Sequence, residues 1–220
     1  LSLHDALPIL KSFFVLNGNL FIRSTALLLI YAGFTTISAK YGDNLLAVST
    51  IMMKIMMLFS YFIDGFAYAG EALTGRYIGA KDRGSLIKAI KILFIWTFVI
   101  AAISTLTYLF ADEWLFRLMT NNQQVIEAAR SYFPWLLLLP LLSCIAFMLD
   151  GIFIGATASV AIRNTMLLSA LSFFASYYLL FNTMGLHALF AAYMIHLVVR
   201  TVMMSLLIKR KVIEKTPALV

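Results

Sequence analysis

The sequence predicts an all-α integral membrane protein that folds as a bundle of six transmembrane helices. Of its 220 residues, 62% are hydrophobic and only 12% are charged, and the mean hydropathy is +0.93. A soluble domain carries about 25% charged residues, and a soluble fold of this size cannot bury so much apolar surface. The apolar residues also form long continuous runs instead of alternating patterns, which indicates helices and excludes strands as the main element.

Six apolar runs reach the roughly 20 residues that a helix needs to cross a bilayer. In chain order they are residues 20–39, 45–78, 86–110, 132–154, 164–181 and 186–208. Between the third and fourth runs, the segment ADEWLFRLMTNNQQVIEAARSY is predicted to include a short interfacial helix with Trp114 at headgroup level. Residues 10–211 are therefore expected to form one six-helix membrane lobe, and residues 212–220 a cytoplasmic tail.

The charges of the connecting segments predict the orientation of the bundle. With the N-terminus inside, the inner connections hold Lys11, Lys81, Arg83, Lys88, Lys91, Arg163, Lys209, Arg210, Lys211 and Lys215. The outer connections hold only Lys40, Arg117 and Arg130, diluted by Asp43, Asp112, Glu113 and Glu127. This positive-inside bias places both termini in the cytoplasm. It also explains the net charge of +7 by the bilayer, so no nucleic-acid partner is expected.

The first nine residues, LSLHDALPI, differ from the rest of the chain. They contain no initiator Met, and they lack the basic region and the cleavage site of a signal peptide. The codons CAC GAC GCT CTT CCG ATC encode HDALPI, and these bases resemble the end of a common sequencing adapter. We therefore expect residues 1–9 to be a non-native scar, with a natural chain that continues upstream; the alternative is a short lead-in helix.

The second run carries polar residues that need an explanation. A straight helix over residues 45–78 would be about 50 Å long, whereas the hydrocarbon core is ~30 Å thick, so the helix must tilt or project on the inner side. Asp64 and Glu71 are seven positions apart and share a helix face with Tyr61 and Tyr68. We interpret this face as the wall of a water-filled cavity that binds a cation or takes a proton. The alternative is a solvated helix end, although a charge at the position of Asp64 costs about 2.5–3.5 kcal/mol in lipid and favours a function.

Asp150, late in the fourth run, is the second candidate for coupling to an ion. Pro140 precedes it, and a proline within a helix frees a backbone carbonyl and kinks the helix. A carboxylate near such a kink is suited to a proton or Na⁺, because desolvation makes its protonation responsive; the alternative is a tertiary hydrogen bond. Arg23, near the inner end of the first run, is expected either to snorkel to the interface or to pair with a buried acid.

Other polar and small residues are given structural interpretations. Lys54 lies among methionines that we expect to serve packing. His196 and Arg200 share a face of the last helix, an arrangement that is usually structural. Gly75 and Gly79 form a small-xxx-small pair that would allow a neighbouring helix to approach closely.

No motif for catalysis or cofactor binding is found in the sequence. No His, Cys and Asp cluster has the spacing of metal ligands, and no phosphate-binding loop or nucleophile motif is present. Cys144, the only cysteine, lies in an apolar run, so no internal disulfide can form. A membrane enzyme is therefore disfavoured, and no cofactor is expected apart from a coupling ion, H⁺ or Na⁺.

Three stretches resemble the MATE (multidrug and toxic compound extrusion) family, in particular its DinF-like branch. They are GNLFIRSTALLLIYAGFTTISAKYGDNLLA, DGFAYAGEALTGRYIGAKDR and YFPWLLLLPLLSCIAFMLDGIFIGATASVAIRNTMLLS, and the likeness covers about residues 11–211. Such transporters have twelve helices in two pseudo-symmetric six-helix lobes. The resemblance implies that this chain corresponds to the second, C-terminal lobe alone and that its main partner is the missing N-terminal lobe.

The resemblance implies secondary active efflux from the inner (plasma) membrane, in which H⁺ or Na⁺ is exchanged for organic cations, drugs or other amphipathic compounds. In Na⁺-coupled relatives the second lobe carries acids in its first and fourth helices, and the fourth-helix acid falls on or near Asp150. The first helix here offers no acid, only Arg23, which favours the proton-coupled, DinF-like alternative.

Two other functions stay open at the level of the sequence. A lipid-linked sugar flippase of the same exporter superfamily would have more basic residues in its cavity, and only Arg23 and Lys54 fit that description. A non-transporting membrane scaffold would have its polar residues facing lipid headgroups instead of one common cavity.

Overall fold

The computed structural model describes the backbone of residues 3–215 and the side chains of residues 10–215. Residues 1, 2 and 216–220, and the side chains of residues 3–9, lie outside this description, so the scar hypothesis is not tested. The described helices are α1 (Leu3–Ala39), α2 (Asp43–Gly79), α3 (Arg83–Phe110), α4 (Asp112–Met119), α5 (Gln123–Arg130), α6 (Phe133–Gly155), α7 (Ser159–Met184) and α8 (His187–Lys211), followed by a 3₁₀ turn at Ile213–Lys215.

Six of these helices, namely α1, α2, α3, α6, α7 and α8, are long and apolar enough to cross a membrane. They confirm the prediction of an all-α bundle with six transmembrane helices. The largest differences from the predicted spans are at the starts of α1 and α7, which begin at Leu3 and Ser159 rather than at residues 20 and 164. Hydropathy marks the part of a helix that suits lipid, but it does not show at which residue the helical hydrogen bonding begins.

The segment between α3 and α6 contains two short helices, α4 and α5, where the sequence predicted one. Thr120 and Asn122 separate them in extended conformations, and the side chain of Asn122 accepts a hydrogen bond from the amide of Gln124 at the start of α5. Trp114, on α4, is 63% exposed, and its place at headgroup level stays a prediction. The extended residues and the Asn122 cap therefore divide this segment into two helices.

The transmembrane helices α2 and α6 end in similar sequences, YIGAKD and FIGATA, and in the same geometry. After α2, the amide of Lys81 donates to the carbonyl of Ile78 at 3.1 Å, and the amide of Asp82 donates to that of Tyr77 at 3.0 Å. These two bonds define a Schellman motif, which needs a residue in the left-handed region at its centre. Lys81 has φ 56° and Thr157, at the equivalent place after α6, has φ 52°. Both helices thus end abruptly without the usual glycine.

The start of α3 follows immediately from the end of α2. Asp82 is the N-cap of α3, and its side chain accepts a hydrogen bond of 2.9 Å from the amide of Ser85. This hydrogen bond holds the pKa of Asp82 below its usual value, because the charged carboxylate is the better acceptor. The connection between α2 and α3 is therefore short and well defined.

Helix α6 lies at the centre of the bundle and packs against α2, α3, α7 and α8, while α1 packs mainly against α7 and α2. Large buried side chains form two clusters. The larger cluster joins α1, α2, α7 and α8 through Phe34, Met56, Phe173 and Phe190. The smaller one joins α3 to the C-terminal part of α6 and to α7 and α8. The central position of α6 means that a polar residue on its buried face must find partners on its neighbours.

The closest approach between helices is that of α6 to α2. A Cβ atom added to Gly151 would collide with the backbone carbonyl of Ala67, and one added to Gly155 would collide with that of Glu71. The predicted close contact at Gly75 and Gly79 is only partly correct. A Cβ atom added to Gly75 would lie 3.5 Å from the carbonyl oxygen of Gly155, but nothing lies within 4 Å of one added to Gly79. The glycines that allow the contact are therefore mainly those of α6, four residues apart.

Candidate functional site

A cavity of about 270 Å³ lies between α1, α2, α6 and α8. Its walls contain all six residues that the sequence singled out, namely Arg23, Tyr61, Asp64, Tyr68, Glu71 and Asp150. Arg200, from α8, also lines it. Residues from four helices thus line one cavity, although Arg23 and Arg200 are separated in the sequence by most of the chain.

At the deep end of the cavity, one carboxylate binds two guanidinium groups. Nη2 of Arg23 and Nη2 of Arg200 both donate to Oδ2 of Asp150. Asp150 and Arg200 are buried, with 5% and 2% of their surface exposed, and the side chain of Arg23 is 21% exposed. The three residues therefore tie α1, α6 and α8 together through charge-assisted hydrogen bonds, which are stronger than neutral ones.

This ion cluster leaves several buried polar atoms without partners. Nε of Arg23, Nη1 of Arg200 and Oδ1 of Asp150 have no hydrogen-bond partner among the described residues. The guanidinium carbon of Arg200 also lies 5.7 Å from the ring centroid of Phe147, within cation–π range. Buried polar groups are usually satisfied, so these atoms have spare hydrogen-bonding capacity beside the cavity.

Helix α2 forms the opposite wall of the cavity. Tyr61, Asp64, Tyr68 and Glu71 are spaced by three or four residues and share one helix face, as their spacing predicted. Asp64 and Glu71 are half-buried, and neither forms a salt bridge with any residue of the described chain. Tyr61 and Tyr68 are 65% and 70% exposed. This wall therefore offers two carboxylates and two aromatic rings that no neighbouring side chain neutralises or covers.

The contact between α2 and α6 determines how the two walls face each other. Gly151 follows Asp150 directly and lies against the backbone of Ala67, which is three residues after Asp64. Since neither helix has a bulky side chain at this contact, the carboxylates of Asp64 and Asp150 line the same cavity. The glycines of α6 thus bring the acidic wall of α2 close to the ion cluster.

The surroundings of Asp150 correct one expectation from the sequence. Pro140 does lie inside α6, but it is ten residues before Asp150, which is about 15 Å along a helix. The partners of Asp150 are the two arginines and not groups freed by the proline. For Arg23, the alternative of pairing with a buried acid is the correct one, and snorkelling to the interface is wrong.

Lys54 lies outside this cavity. It is exposed and lines a second cavity of about 240 Å³ between α1 and α2. The two cavities share Tyr31 and Met57 in their walls, so they adjoin along the same face of the bundle.

Sequence reasoning missed the role of Arg200. Its i, i+4 relation to His196 indicated a structural pair, and His196 is indeed buried, with its ring centroid 4.6 Å from that of Tyr193. Arg200 instead contacts Asp150 across the bundle. The missed signal was the charge itself, because an arginine within an apolar helix faces the bundle interior and needs an anionic partner.

Known proteins resemble this chain in sequence and in fold. A sequence model of the MatE family matches residues 20–177. The chain is 32% identical over 195 residues to DNA damage-inducible protein F of Escherichia coli (strain K12), covering 89% of this chain and 42% of the relative. A crystal structure of MATE in the bent conformation superposes with a TM-score of 0.80 at 20% identity, covering 90% of this chain and 45% of that one. The chain thus spans less than half the length of the proteins that it matches.

Proposed function

The chain belongs to the MatE family, whose members are transporters and not enzymes, and from this premise we propose that it is the C-terminal lobe of a secondary active efflux transporter. It is a multi-pass membrane protein with six apolar helices. In our proposal the complete protein lies in the inner membrane with both ends of this lobe in the cytoplasm. It exchanges H⁺ or Na⁺ for drugs or other amphipathic compounds, and its N-terminal lobe is supplied by the same polypeptide.

One observation supports this proposal above the others, namely that five charged residues from α1, α2, α6 and α8 line one cavity: Arg23, Asp64, Glu71, Asp150 and Arg200. Charged groups within a membrane are costly, and they mark substrate or ion pathways when they face a shared interior space. Binding sites of secondary transporters lie between repeats near the middle of the membrane. A scaffold protein would have its polar residues facing lipid headgroups, so the shared cavity disfavours that alternative.

The composition of the cavity also bears on the flippase alternative, which predicted more basic residues in the cavity. Three carboxylates, those of Asp64, Glu71 and Asp150, line the cavity together with the two guanidinium groups. Lys54 lines a different cavity. The acidic groups outnumber the basic ones, and for this reason we retain efflux as the proposed function.

Asp150 is proposed to couple ion binding to substrate release. Its Oδ2 accepts from both arginines, while its Oδ1 has no hydrogen-bond partner in the described chain. A proton or Na⁺ that reaches Asp150 competes with the guanidinium groups for the carboxylate. Arrival of the ion would therefore loosen the attachment of α1 and α8 to α6, and departure of the ion would restore it.

The experiment that tests this role is Asp150→Asn in the complete transporter, reconstituted in vesicles. Asn keeps the shape and most hydrogen bonds but cannot titrate, so we expect efflux driven by a pH or Na⁺ gradient to be lost while substrate still binds. Asp43→Asn is the matched control, because Asp43 lies at the exposed outer start of α2. Normal efflux by Asp150→Asn at every pH, with unchanged ion dependence, would show that Asp150 is only structural.

A further inference from the structure

At the deep end of the cavity, the cationic side chains offer more hydrogen-bond donors than the single carboxylate binds. Two guanidinium groups meet one carboxylate there, and both of them bind the same oxygen of Asp150. Each guanidinium keeps a buried nitrogen without a partner in the described chain, Nε on Arg23 and Nη1 on Arg200. Arg200 is 98% buried, so bulk water cannot easily satisfy its free donor. Such a pair of planar donors matches a second carboxylate.

The α2 wall has the opposite character. Asp64 and Glu71 lack salt-bridge partners within residues 10–215, and the exposed rings of Tyr61 and Tyr68 alternate with them along the helix. Aromatic rings and free carboxylates together attract an organic cation. The cavity therefore has a cationic end at α1 and α8 and an anionic, aromatic wall at α2.

From this layout we infer that the cavity selects zwitterionic amphipathic substrates, whose carboxylate binds Arg23 and Arg200 while their cationic end lies against α2. This inference rests on the proposed efflux function and specifies its substrate class. The substrate carboxylate takes the guanidinium nitrogens that Asp150 leaves free, so it joins the ion cluster without displacing Asp150. A substrate with only a positive charge would leave these donors unsatisfied.

A matched pair of dyes tests the inference directly. Rhodamine B carries a free carboxylate and a delocalised cation, and its ethyl ester keeps the cation and the ring system but has no negative charge. We expect the purified complete transporter in detergent micelles, titrated at neutral pH by fluorescence anisotropy, to bind the acid about tenfold or more tightly than the ester, since hydrogen bonds to a charged group add roughly this much. Titrations of empty micelles give the background for each dye.

A variant then assigns the preference to the arginines. Arg23→Met removes one free donor and leaves the buried pair of Arg200 and Asp150 in place. We expect it to weaken rhodamine B binding about tenfold and to change binding of the ester less than about twofold. Arg130→Met, on the exposed outer helix α5, is the matched control and should change neither affinity.

The outcomes separate this inference from the proposed function. If the unmodified transporter binds and exports the ester at least as well as the acid, the inference is wrong and the efflux proposal stands. If Arg23→Met weakens both dyes equally, the arginine does not contact the carboxylate and the inference is again wrong. If neither dye binds, the cavity is not a substrate site, and the inference falls together with the proposed function. The first comparison requires no substitution, so a misfolded variant does not remove the test.

Discussion

At the scale of single residues, the cavity depends on the buried carboxylate of Asp150. It is the shared acceptor for Arg23 and Arg200, so three helices meet at one oxygen atom. Breaking a buried ion pair from one side is costly, because it leaves an uncompensated charge. The cost should be larger at Asp150 than at either arginine, since removal of Asp150 leaves two unpaired cations whereas removal of one arginine leaves a complete pair.

We predict that Asp150→Leu destabilises the protein by about 3 kcal/mol. The matched control is Asp64→Leu, which removes the same group from the same cavity but breaks no salt bridge found in the described chain, and it should change stability by no more than about 0.5 kcal/mol. Unfolding titrations with a denaturing detergent in mixed micelles measure both values. Equal losses for the two variants would contradict the special role of the ion cluster.

The sequence located the candidate residues of this site but did not reveal how they pair. Asp150 and Arg23 stood out because charges inside apolar runs need a reason. Arg200 was equally visible, but local spacing related it to His196 on its own helix. The contact with Asp150 joins residues 50 positions apart, and helix periodicity contains no information about which helices become neighbours.

At the scale of helices, the contact between α2 and α6 controls the geometry of the cavity. Gly151 and Gly155 meet the backbone of Ala67 and Glu71, so this face of α6 has no room for a side chain. The sequence contained this signal, because the two glycines are four residues apart in DGIFIG. The sequence prediction instead placed the close contact at the similar pair, Gly75 and Gly79. Spacing alone does not show which of two such pairs faces a neighbouring helix.

We predict that Gly151→Ala destabilises the protein by about 1–3 kcal/mol, because the added methyl group must separate two backbones. It should also impair transport, since the carboxylates of α2 and α6 would move apart. Gly65→Ala is the matched control on α2, where nothing lies within 4 Å of the added atom, and its better helix propensity should leave stability unchanged or raise it by up to about 1 kcal/mol. Unfolding titrations of both variants, together with efflux assays, check this prediction, and a Gly151→Ala variant as stable as the control would contradict it.

The N-terminus of α3 should respond to pH through Asp82. The folded-state pKa of this carboxyl is lowered by its hydrogen bond from the Ser85 amide. The pKa of Asp82 is thus lower in the folded state than in the unfolded state. The cap therefore contributes stability at pH values above the unfolded-state pKa, and this contribution is lost as the pH falls through the folded-state pKa. We therefore predict that hydrogen-exchange protection of the Ser85 amide declines in acid. In Asp82→Asn, which caps without titrating, protection should not decline, and an identical decline in both proteins would refute the assignment.

Helix existence was predictable from the sequence, and helix ends were less so. Long apolar runs identified all six transmembrane helices, because a bilayer imposes a minimum length on each of them. The ends depend on local hydrogen bonds instead. Lys81 and Thr157 close α2 and α6 from the left-handed region, where glycine is the expected residue, and Asn122 divides the outer segment into α4 and α5. Neither feature changes hydropathy, so neither appeared in the predicted spans.

At the scale of the whole molecule, the bundle has a face that suits a second lobe. The cavity of Asp150 and the adjoining cavity of Lys54 share Tyr31 and Met57 and are both lined by α1 and α2. In secondary transporters, alternating access moves one repeat against another around a central site. A shared polar face on α1 and α2 is consistent with the proposal that the other lobe lies opposite these helices.

The orientation of the bundle is the remaining prediction. An even number of crossings places both ends of the lobe on one side, and the basic inner connections favour the cytoplasm because such loops are retained there. In a Cys144→Ala background, which removes the only cysteine, a buried one, we expect Asn121→Cys to react with a membrane-impermeant maleimide on intact cells. Arg83→Cys and Lys211→Cys should react only after the cells are opened.

The three positions lie in the connection between α4 and α5, at the start of α3 and at the end of α8, so each reports a different crossing. Reaction of all three from one side would contradict the six-crossing arrangement, whereas a reversed pattern would keep the six helices and place the termini outside. Only the expected pattern puts the end of α6 nearest the cytoplasm, and with it Asp150 on the side to which the proposed antiport releases its coupling ion.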